Sequence, residues 1–404
     1  MSTPDKTTQA PSLQTPGFIY ANGAVRPWAD ATLHVTVEGV QRGMNVFEGL
    51  KGFWQPDGRF GLLAMPRHYA RLKRSAALMH MPFDMTFDAY DAACHEITAC
   101  QRDPGRNMWL RTTLYIVEGH WGHGDRTDLV CAAYHHPKGP APRMATGVTT
   151  WRRATDNAMP ARIKTGFNYL AARFAKIEGR SRGYPEMVLL NEAGRVAEFI
   201  GSGLIMVRDG VIYAPPASEG AFESITVDII RALCTDMGIE FRMRPIDRTE
   251  LIIADEIAAV GTLNDMVLIS SFDGREMGPS PVLDSVLTRY LDACEGREPH
   301  PAVDLTFRRS CSWVGRRRTD GSPTAFGREI YAVDMPLPDR DQGVTSTVSG
   351  MSTRFMGEQK TQGNARSIQT PDPDRALWFF EGLWPKQNRP RPSCLSSPRG
   401  TAVQ

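Results

Sequence analysis

The 404-residue chain is 41% hydrophobic and 23% charged, with a formal net charge of +2, which is the make-up of an ordinary globular protein of two or three domains. No apolar run approaches the ~18 residues of a membrane-spanning helix, and the polar stretch Met1 to Pro16 lacks the apolar region of a secretory signal. Residues 305–404 hold thirteen Arg, two Lys and nine Asp or Glu, a formal +6 that leaves −4 on the first 304 residues, but the arginines are scattered and form no nucleic-acid stripe.

In chain order, residues 1–16 read as a disordered leader. Phe18 to Val25 forms two short strands around an Asn22-Gly23 hairpin turn, and Ala31 to Val37 alternates like a third strand. Pro66 to Met81 has helical spacing and is closed by Pro82, and a second helix runs from Thr86 to Arg102. Met108 to Ile116 and Leu129 to Tyr134 are β-rich runs. Residues 17–144 therefore predict a small α+β domain.

The proline-rich stretch Pro137 to Arg143 precedes a strand, Gly147 to Trp151, and residues 145–156 read as an interdomain linker. Residues 157–304 form the larger domain, beginning with a helix over Asn168 to Glu178. Strand–turn–strand units follow, with turns at Asn191 to Gly194 and at Asp209-Gly210. Helices are predicted over 226–237 and 282–294, and strands over 239–243, 257–260 and 266–270. Residues 305–404 lose hydrophobic periodicity and read as a disordered or non-native tail containing one apolar island, Ala376 to Trp384.

The seven cysteines, Cys94, Cys100, Cys131, Cys234, Cys294, Cys311 and Cys394, are odd in number and include no Cys-x-x-Cys pair, so they read as reduced thiols of a cytoplasmic protein and suggest no metal site. The eight lysines are Lys6, Lys51, Lys73, Lys138, Lys164, Lys176, Lys360 and Lys386. Of these, Lys164 heads a helix-like run, Lys164-Thr-Gly-Phe-Asn168-Tyr169-Leu, and Glu198 follows in a strand-like segment. An amine that condenses with an aldehyde and a carboxylate that holds a pyridine nitrogen protonated are the two protein groups that pyridoxal 5'-phosphate (PLP) needs most.

Eight short motifs then occur in order: Phe18-Ile-Tyr-Ala-Asn-Gly, Val46-Phe-Glu-Gly-Leu-Lys51, His68-Tyr-Ala-Arg71-Leu with Ser75-Ala, Lys164-x-x-x-Asn168-Tyr169-Leu, Ala197-Glu198, Ser224-Ile-Thr226, Ala254-Asp255-Glu256 and Gly261-Thr262. On these the chain, from about Phe18 to Asp304, resembles the class IV aminotransferases (PLP fold type IV), and within them the branched-chain aminotransferases. The resemblance implies an α+β (mixed α/β) fold with a small N-terminal domain, a larger domain built on a barrel-like mixed sheet, and a homodimer with one loop supplied across the interface.

It also implies roles. Lys164 is expected to form the aldimine with PLP and then to shuttle a proton. Glu198 is expected at the pyridine nitrogen and Tyr169 at the 3'-oxygen, with Arg71, Ser224, Ile225, Thr226, Gly261 and Thr262 around the phosphate. Arg42, Phe47, Lys51, Trp109, Arg111 and Leu263 are the expected substrate contacts, Arg111 for the distal carboxylate of glutamate, and Trp151 is a further candidate for the apolar pocket.

Four departures stand out: Arg42 and Trp109 replace tyrosines, Val227 replaces an arginine, and Gly201-Ser-Gly203-Leu replaces a motif carrying Glu-Asn. The implied reaction is ping-pong transfer of an amino group from leucine, isoleucine or valine to 2-oxoglutarate. The alternatives are a lyase of the aminodeoxychorismate type, a D-amino acid or (R)-amine transaminase, and a PLP-binding pseudoenzyme. Small amino and oxo acids are the implied partners, with no nucleic acid and no membrane.

Overall fold

The computed structural model describes residues 14–307. The expectations for residues 1–13 and for the chain beyond 307, including the island at 376–384, lie outside the described residues.

The chain opens with the hairpin of β1 (Phe18–Ala21) and β2 (Ala24–Pro27). Asn22 and Gly23 both adopt positive φ, 50° and 75°, as a two-residue turn between right-twisted strands requires. The strand expected over 31–37 does not form. Leu33 and Val35 point into solvent, 39% and 70% exposed, so the alternation has no face to bury, and the segment instead winds into the short α1 (Glu38–Gln41).

Next come β3 (Asn45–Trp54) and β4 (Phe60–Leu63), then α2 (Met65–Leu78), α3 (Phe87–Gln101), β5 (Asn107–His120) and β6 (His123–His136). α2 stops before the expected Met81 because His80 turns left-handed at φ 54°. Thr86 caps α3 by accepting the Ala89 N–H. β3 is almost wholly buried, so the Phe-Glu-Gly-Leu-Lys motif lies on a central strand.

The larger region contains β7 (Met144–Arg152), α4 (Leu170–Ser181), β8 (Glu186–Leu190), β9 (Val196–Phe199), β10 (Gly203–Arg208) and β11 (Val211–Ala214). It continues through α5 (Ile225–Asp236), β12 (Phe241–Met243), α6 (Arg248–Ile252), β13 (Glu256–Gly261), β14 (Asp265–Phe272), β15 (Arg275–Glu276) and α7 (Pro281–Cys294). The described residues end with β16 (Leu305–Phe307). β16 pairs with β4, so these first three residues of the expected tail are ordered strand. Residues 145–152 of the expected linker belong to β7, and the chain passes from one sheet to the other through residues 137–143.

The first sheet has seven antiparallel strands in the order β16-β4-β3-β5-β6-β1-β2. Its core packs α2 and α3 against the sheet through Leu72, Ala76, Tyr90, Ile97, Leu50 and Leu110. The second sheet runs β12-β11-β10-β13-β14-β7-β8-β9, with β15 attached to β14. It is mixed, with parallel pairing at β11–β12, β14–β7 and β7–β8. Edge strand β9 packs back against β10, which curls the sheet into a half-barrel. α5 and α7 cover this sheet in a core that also takes Phe53 and Leu63 from the first sheet and Ala64 from the head of α2. That shared core fixes β3 and α2 against the N-terminus of α5.

Candidate active site

Lys164 is held by its backbone. Its carbonyl accepts the Phe47 N–H of β3 at 2.9 Å, and its N–H donates to Ser75 Oγ of α2 at 3.2 Å. Thr165 bridges to Val46, and the Gly166 N–H donates to Asn45 Oδ1 at 3.2 Å. Buried Asn168 closes the loop, its Nδ2 donating to the carbonyls of Pro160 and Ile163. The segment thus lies along β3 like a short extra strand while its amine stays free to project. That amine has one weak hydrogen bond, 3.4 Å to the Tyr169 hydroxyl. It faces two aromatic rings, Phe222 at 4.3 Å and Phe47 at 5.5 Å.

Glu198 stands on β9, 7% exposed. Its Oε2 accepts the Phe222 N–H at 3.0 Å, and its Oε1 lies 3.3 Å from Arg153 Nη2. Burial pushes its carboxyl above the usual range, while Arg153, the Phe222 N–H and Lys164 pull it back. Lys164 and Glu198 therefore meet at one residue, Phe222, which no motif marks and which the sequence reading passed over.

Arg71 of α2, 5% exposed, also stacks on the Phe222 ring, its Cζ 4.6 Å from the centroid. Its Nε and Nη2 donate to the two oxygens of Glu48, each at 2.7 Å, and Nη1 donates to the Glu223 carbonyl at 2.8 Å. Two of the five guanidinium N–H groups remain for a ligand. Glu48, fully buried, also receives His68 Nδ1 at 2.7 Å. Burial would raise its carboxyl, but the Arg71 charge and the donors around it hold it well below the ordinary carboxylate range. His68 and Arg71 stand three apart on one helix face, which is why both reach this carboxylate.

At the start of α5 the Ser224 hydroxyl takes the Val227 N–H, leaving the N–H groups of Ile225 and Thr226 as first-turn donors. A Cβ on Gly203 would meet Val227 Cγ2 at 3.2 Å, and one on Gly261 would meet Ser202 Cβ at 3.2 Å. These close approaches bring the Gly261-Thr262 turn between β13 and β14 beside the helix start. A cavity of about 550 Å³ opens at the helix start, lined by Arg71, Phe222, Ser224, Ile225, Gly203 and Val227, and its lining does not include Lys164, Glu198 or Thr262. An arginine with two spare donors, a helix N-terminus and a threonine-bearing turn form a donor set suited to a phosphate dianion.

Phe47 joins the amine to the remaining candidates. Arg111 Cζ lies 4.0 Å from its ring centroid, and the Tyr169 ring lies at 5.5 Å. Arg111 stands opposite Gly49 in the β3–β5 register, and a Cβ on Gly49 would come within 3.0 Å of Trp109 Nε1. Trp109 packs on Tyr134, centroids 5.6 Å apart, a residue the sequence reading did not select.

The structure gives three of the candidates other partners. The Lys51 amine is 1% exposed and ion-paired with Asp265, and it also donates to the Leu263 carbonyl at 3.3 Å, so it braces the 261–265 turn from behind and does not reach open space. Leu263 therefore enters the site through its backbone tie. Arg42 is bonded to Glu38 at 2.9 Å and stacked on Trp121 at 4.6 Å. Trp151 stacks on Phe174 at the surface, centroids 4.5 Å apart, and is 43% exposed. Among the described residues no His, Cys, Asp and Glu group has the arrangement of a metal site.

The sequence model of the family described as amino-transferase class IV matches residues 45–272, the span that carries these groups apart from Glu38 and Arg42. The chain is 30% identical over 272 residues to the branched-chain-amino-acid aminotransferase of Salmonella typhimurium, covering 65% of this chain and 86% of that one. The crystal structure of the branched-chain aminotransferase of Thermoproteus uzoniensis with norvaline superposes with a TM-score of 0.67 at 27% identity, covering 72% of this chain and 98% of that one. A second branched-chain aminotransferase, that of T.th., complexed with N-(5'-phosphopyridoxyl)-L-glutamate, gives 0.68 at 28% identity, covering 73% and 99%.

The chain belongs to the class IV aminotransferases. Within that family it is a PLP-dependent enzyme of the branched-chain aminotransferase type.

Proposed function

We propose that the enzyme moves the amino group of leucine, isoleucine or valine to 2-oxoglutarate in two half-reactions at one site, by a ping-pong mechanism. The observation that carries this reading is the convergence on Phe222, whose ring lies 4.3 Å from the Lys164 amine and whose N–H is bound by the Glu198 carboxylate.

Bound PLP supplies an aldehyde to receive the amino group and a cationic ring to draw electrons from the substrate Cα. Lys164 would hold the aldehyde end of the cofactor. Its amine would act as the base that takes the Cα proton, and Tyr169, 3.4 Å from that amine, would orient it. Glu198 would hold a proton on the ring nitrogen. Arg71, the Ile225 and Thr226 N–H groups at the head of α5, and the Gly261-Thr262 turn hold the phosphate. Phe47 forms an apolar wall for the branched side chain, with Trp109 and Tyr134 beyond it. Arg111, lying over the same ring, meets the distal carboxylate of glutamate and 2-oxoglutarate, so one pocket takes both partners.

The T.th. branched-chain aminotransferase has been crystallised both with a phosphopyridoxyl-glutamate adduct and with 4-methylvaleric acid, which supports an acidic and a branched apolar occupant here. The same reading makes the enzyme a cytoplasmic homodimer with a loop supplied across the interface.

The test is steady-state kinetics of the purified protein with PLP, leucine and 2-oxoglutarate. Glutamate formation with parallel double-reciprocal lines is expected. No glutamate from any of the three branched-chain amino acids would overturn the substrate assignment.

A further inference from the structure

Arg153 lies one residue past the end of β7, is 9% exposed, and belongs to none of the motifs. Its guanidinium is shared three ways. Nη2 lies 3.3 Å from Glu198 Oε1, Nε donates to the Gly220 carbonyl at 3.0 Å, and Nη1 donates to the Asn168 carbonyl at 3.4 Å. The three acceptors stand on the three segments that build the site: β9, the turn leading into Phe222, and the stretch after Lys164. Gly220 is left-handed at φ +83°, and a Cβ there would come within 3.0 Å of Arg153 Cγ, so the turn is bare where the arginine passes.

We propose that Arg153 is a positioning residue that keeps Glu198 a carboxylate, aimed into the site, and so sets through Glu198 the protonation of the cofactor ring nitrogen. This rests on the reading of Glu198 given above. A carboxyl group as buried as Glu198 takes up a proton unless a cation compensates for the lost water. A neutral carboxylic acid has no charge with which to hold a proton on a pyridine. Two groups besides Arg153 act on Glu198 in this sense, the Phe222 N–H and Lys164. The first carries only a dipole. The second changes its bonding and protonation during turnover. Arg153 is the fixed full charge of the three, and its planar fork also fastens the Gly220 and Asn168 backbones, so the carboxylate, the amine-bearing loop and Phe222 are registered by one group.

A double-mutant cycle on PLP binding tests this. The full-length apo-protein as wild type, R153M, R153K, E198Q and R153M/E198Q is titrated with PLP, reading visible absorbance across a range of pH. R153M is expected to weaken PLP binding roughly tenfold or more at the acid end, recovering as rising pH ionises Glu198. The same change in the E198Q background is expected to cost markedly less and to lose its pH dependence, because only the ties to the Gly220 and Asn168 backbones are left to break. R153K, which keeps the charge but not the fork, is expected to keep the wild-type pH dependence with a loss of less than about tenfold. An equal loss in both backgrounds, or a loss that ignores pH, overturns the proposal in favour of a packing role. If circular dichroism shows R153M unfolded, R153K decides alone: a pH-independent loss of tenfold or more there also overturns it. A wild-type protein that takes up no PLP would sink the reading of the site itself, whereas wild-type binding matched by R153M would sink only this proposal.

Discussion

Glu48 and Arg71 meet edge to edge, two parallel N–H···O bonds of 2.7 Å between a carboxylate that is fully buried and a guanidinium that is 5% exposed. The geometry is the bidentate one that leaves the opposite edge of an arginine pointing in a fixed direction. Because the folded-state carboxyl is held well below its ordinary value of 4.5, its ionisation stabilises the fold above that pH, and the contribution is lost as pH falls toward the folded value. Glu48→Gln keeps the shape and removes the charge. It should cost about 3–5 kcal/mol in denaturant unfolding at pH 7.5, the range for breaking a buried pair. It should also weaken PLP binding roughly tenfold by releasing the Arg71 fork. Unchanged stability and unchanged PLP affinity would contradict the assignment.

Glu186 gives a pH prediction of opposite sign. Its Oε1 is buried without a hydrogen-bond partner, its Oε2 lies 3.9 Å from Lys176 Nζ, and burial raises its carboxyl to about 7. Between pH 4.5 and about 7 the folded chain holds a proton that the unfolded chain has released, so stability falls as pH rises through that window. The loss has a ceiling of about 3 kcal/mol. Glu186→Gln should remove this slope and be more stable than wild type at pH 8. Urea melts of the two proteins at several pH values would show it, and parallel curves would refute it.

Lys51 should act on the cofactor site and leave substrate choice alone. Its amine is 1% exposed against Asp265, whose own carboxyl is pushed up by burial and drawn back chiefly by that amine. Lys51→Met should cost about 3–5 kcal/mol and loosen PLP by freeing the 261–265 turn. The ratio of kcat/KM for leucine to that for glutamate should stay within about twofold of wild type. A large change in that ratio would return Lys51 to the substrate pocket.

Arg111 and Arg42 should behave differently. Arg111 lies 4.0 Å over Phe47 with no carboxylate bonded to it among the described ion pairs, whereas Arg42 is already paired with Glu38. Arg111→Leu should lower kcat/KM for glutamate and 2-oxoglutarate by roughly 10²-fold while leaving leucine within about threefold. Arg42→Tyr should leave the leucine-to-glutamate ratio unchanged. Equal losses on both substrates in Arg111→Leu would deny it a role in selection.

The parts of the site readable from sequence were those that a local pattern encodes. Ser224-Ile-Thr226 could be placed at a helix start because a capping residue precedes an apolar-periodic run. Asn22-Gly23 and Asp209-Gly210 marked their turns because left-handed backbone favours those residue types. Lys164 and Glu198 stood out as residue types with a chemistry. Phe222, Glu48 and Arg153 did not, since each works through neighbours far away in the chain: Glu48 to Arg71 spans 23 residues, and Phe222 to Glu198 spans 24. A side chain's partner, and therefore whether its charge is free, is set by tertiary packing. For the same reason Lys51 read as a pocket cation, its partner Asp265 lying 214 residues away, whereas Glu38, the partner of Arg42, stands only four residues before it and was within reach of a local pattern. The false strand at 31–37 failed on the same ground, alternation without a sheet face to bury it.

The most direct measurement is the absorption spectrum of purified protein after incubation with PLP, taken before and after addition of leucine, for wild type and Lys164→Ala. The account predicts a visible band in wild type that leucine bleaches and 2-oxoglutarate restores, with neither the band nor turnover in Lys164→Ala. A wild-type spectrum that matches free PLP, or a Lys164→Ala protein that keeps the band and its response to leucine, would contradict it.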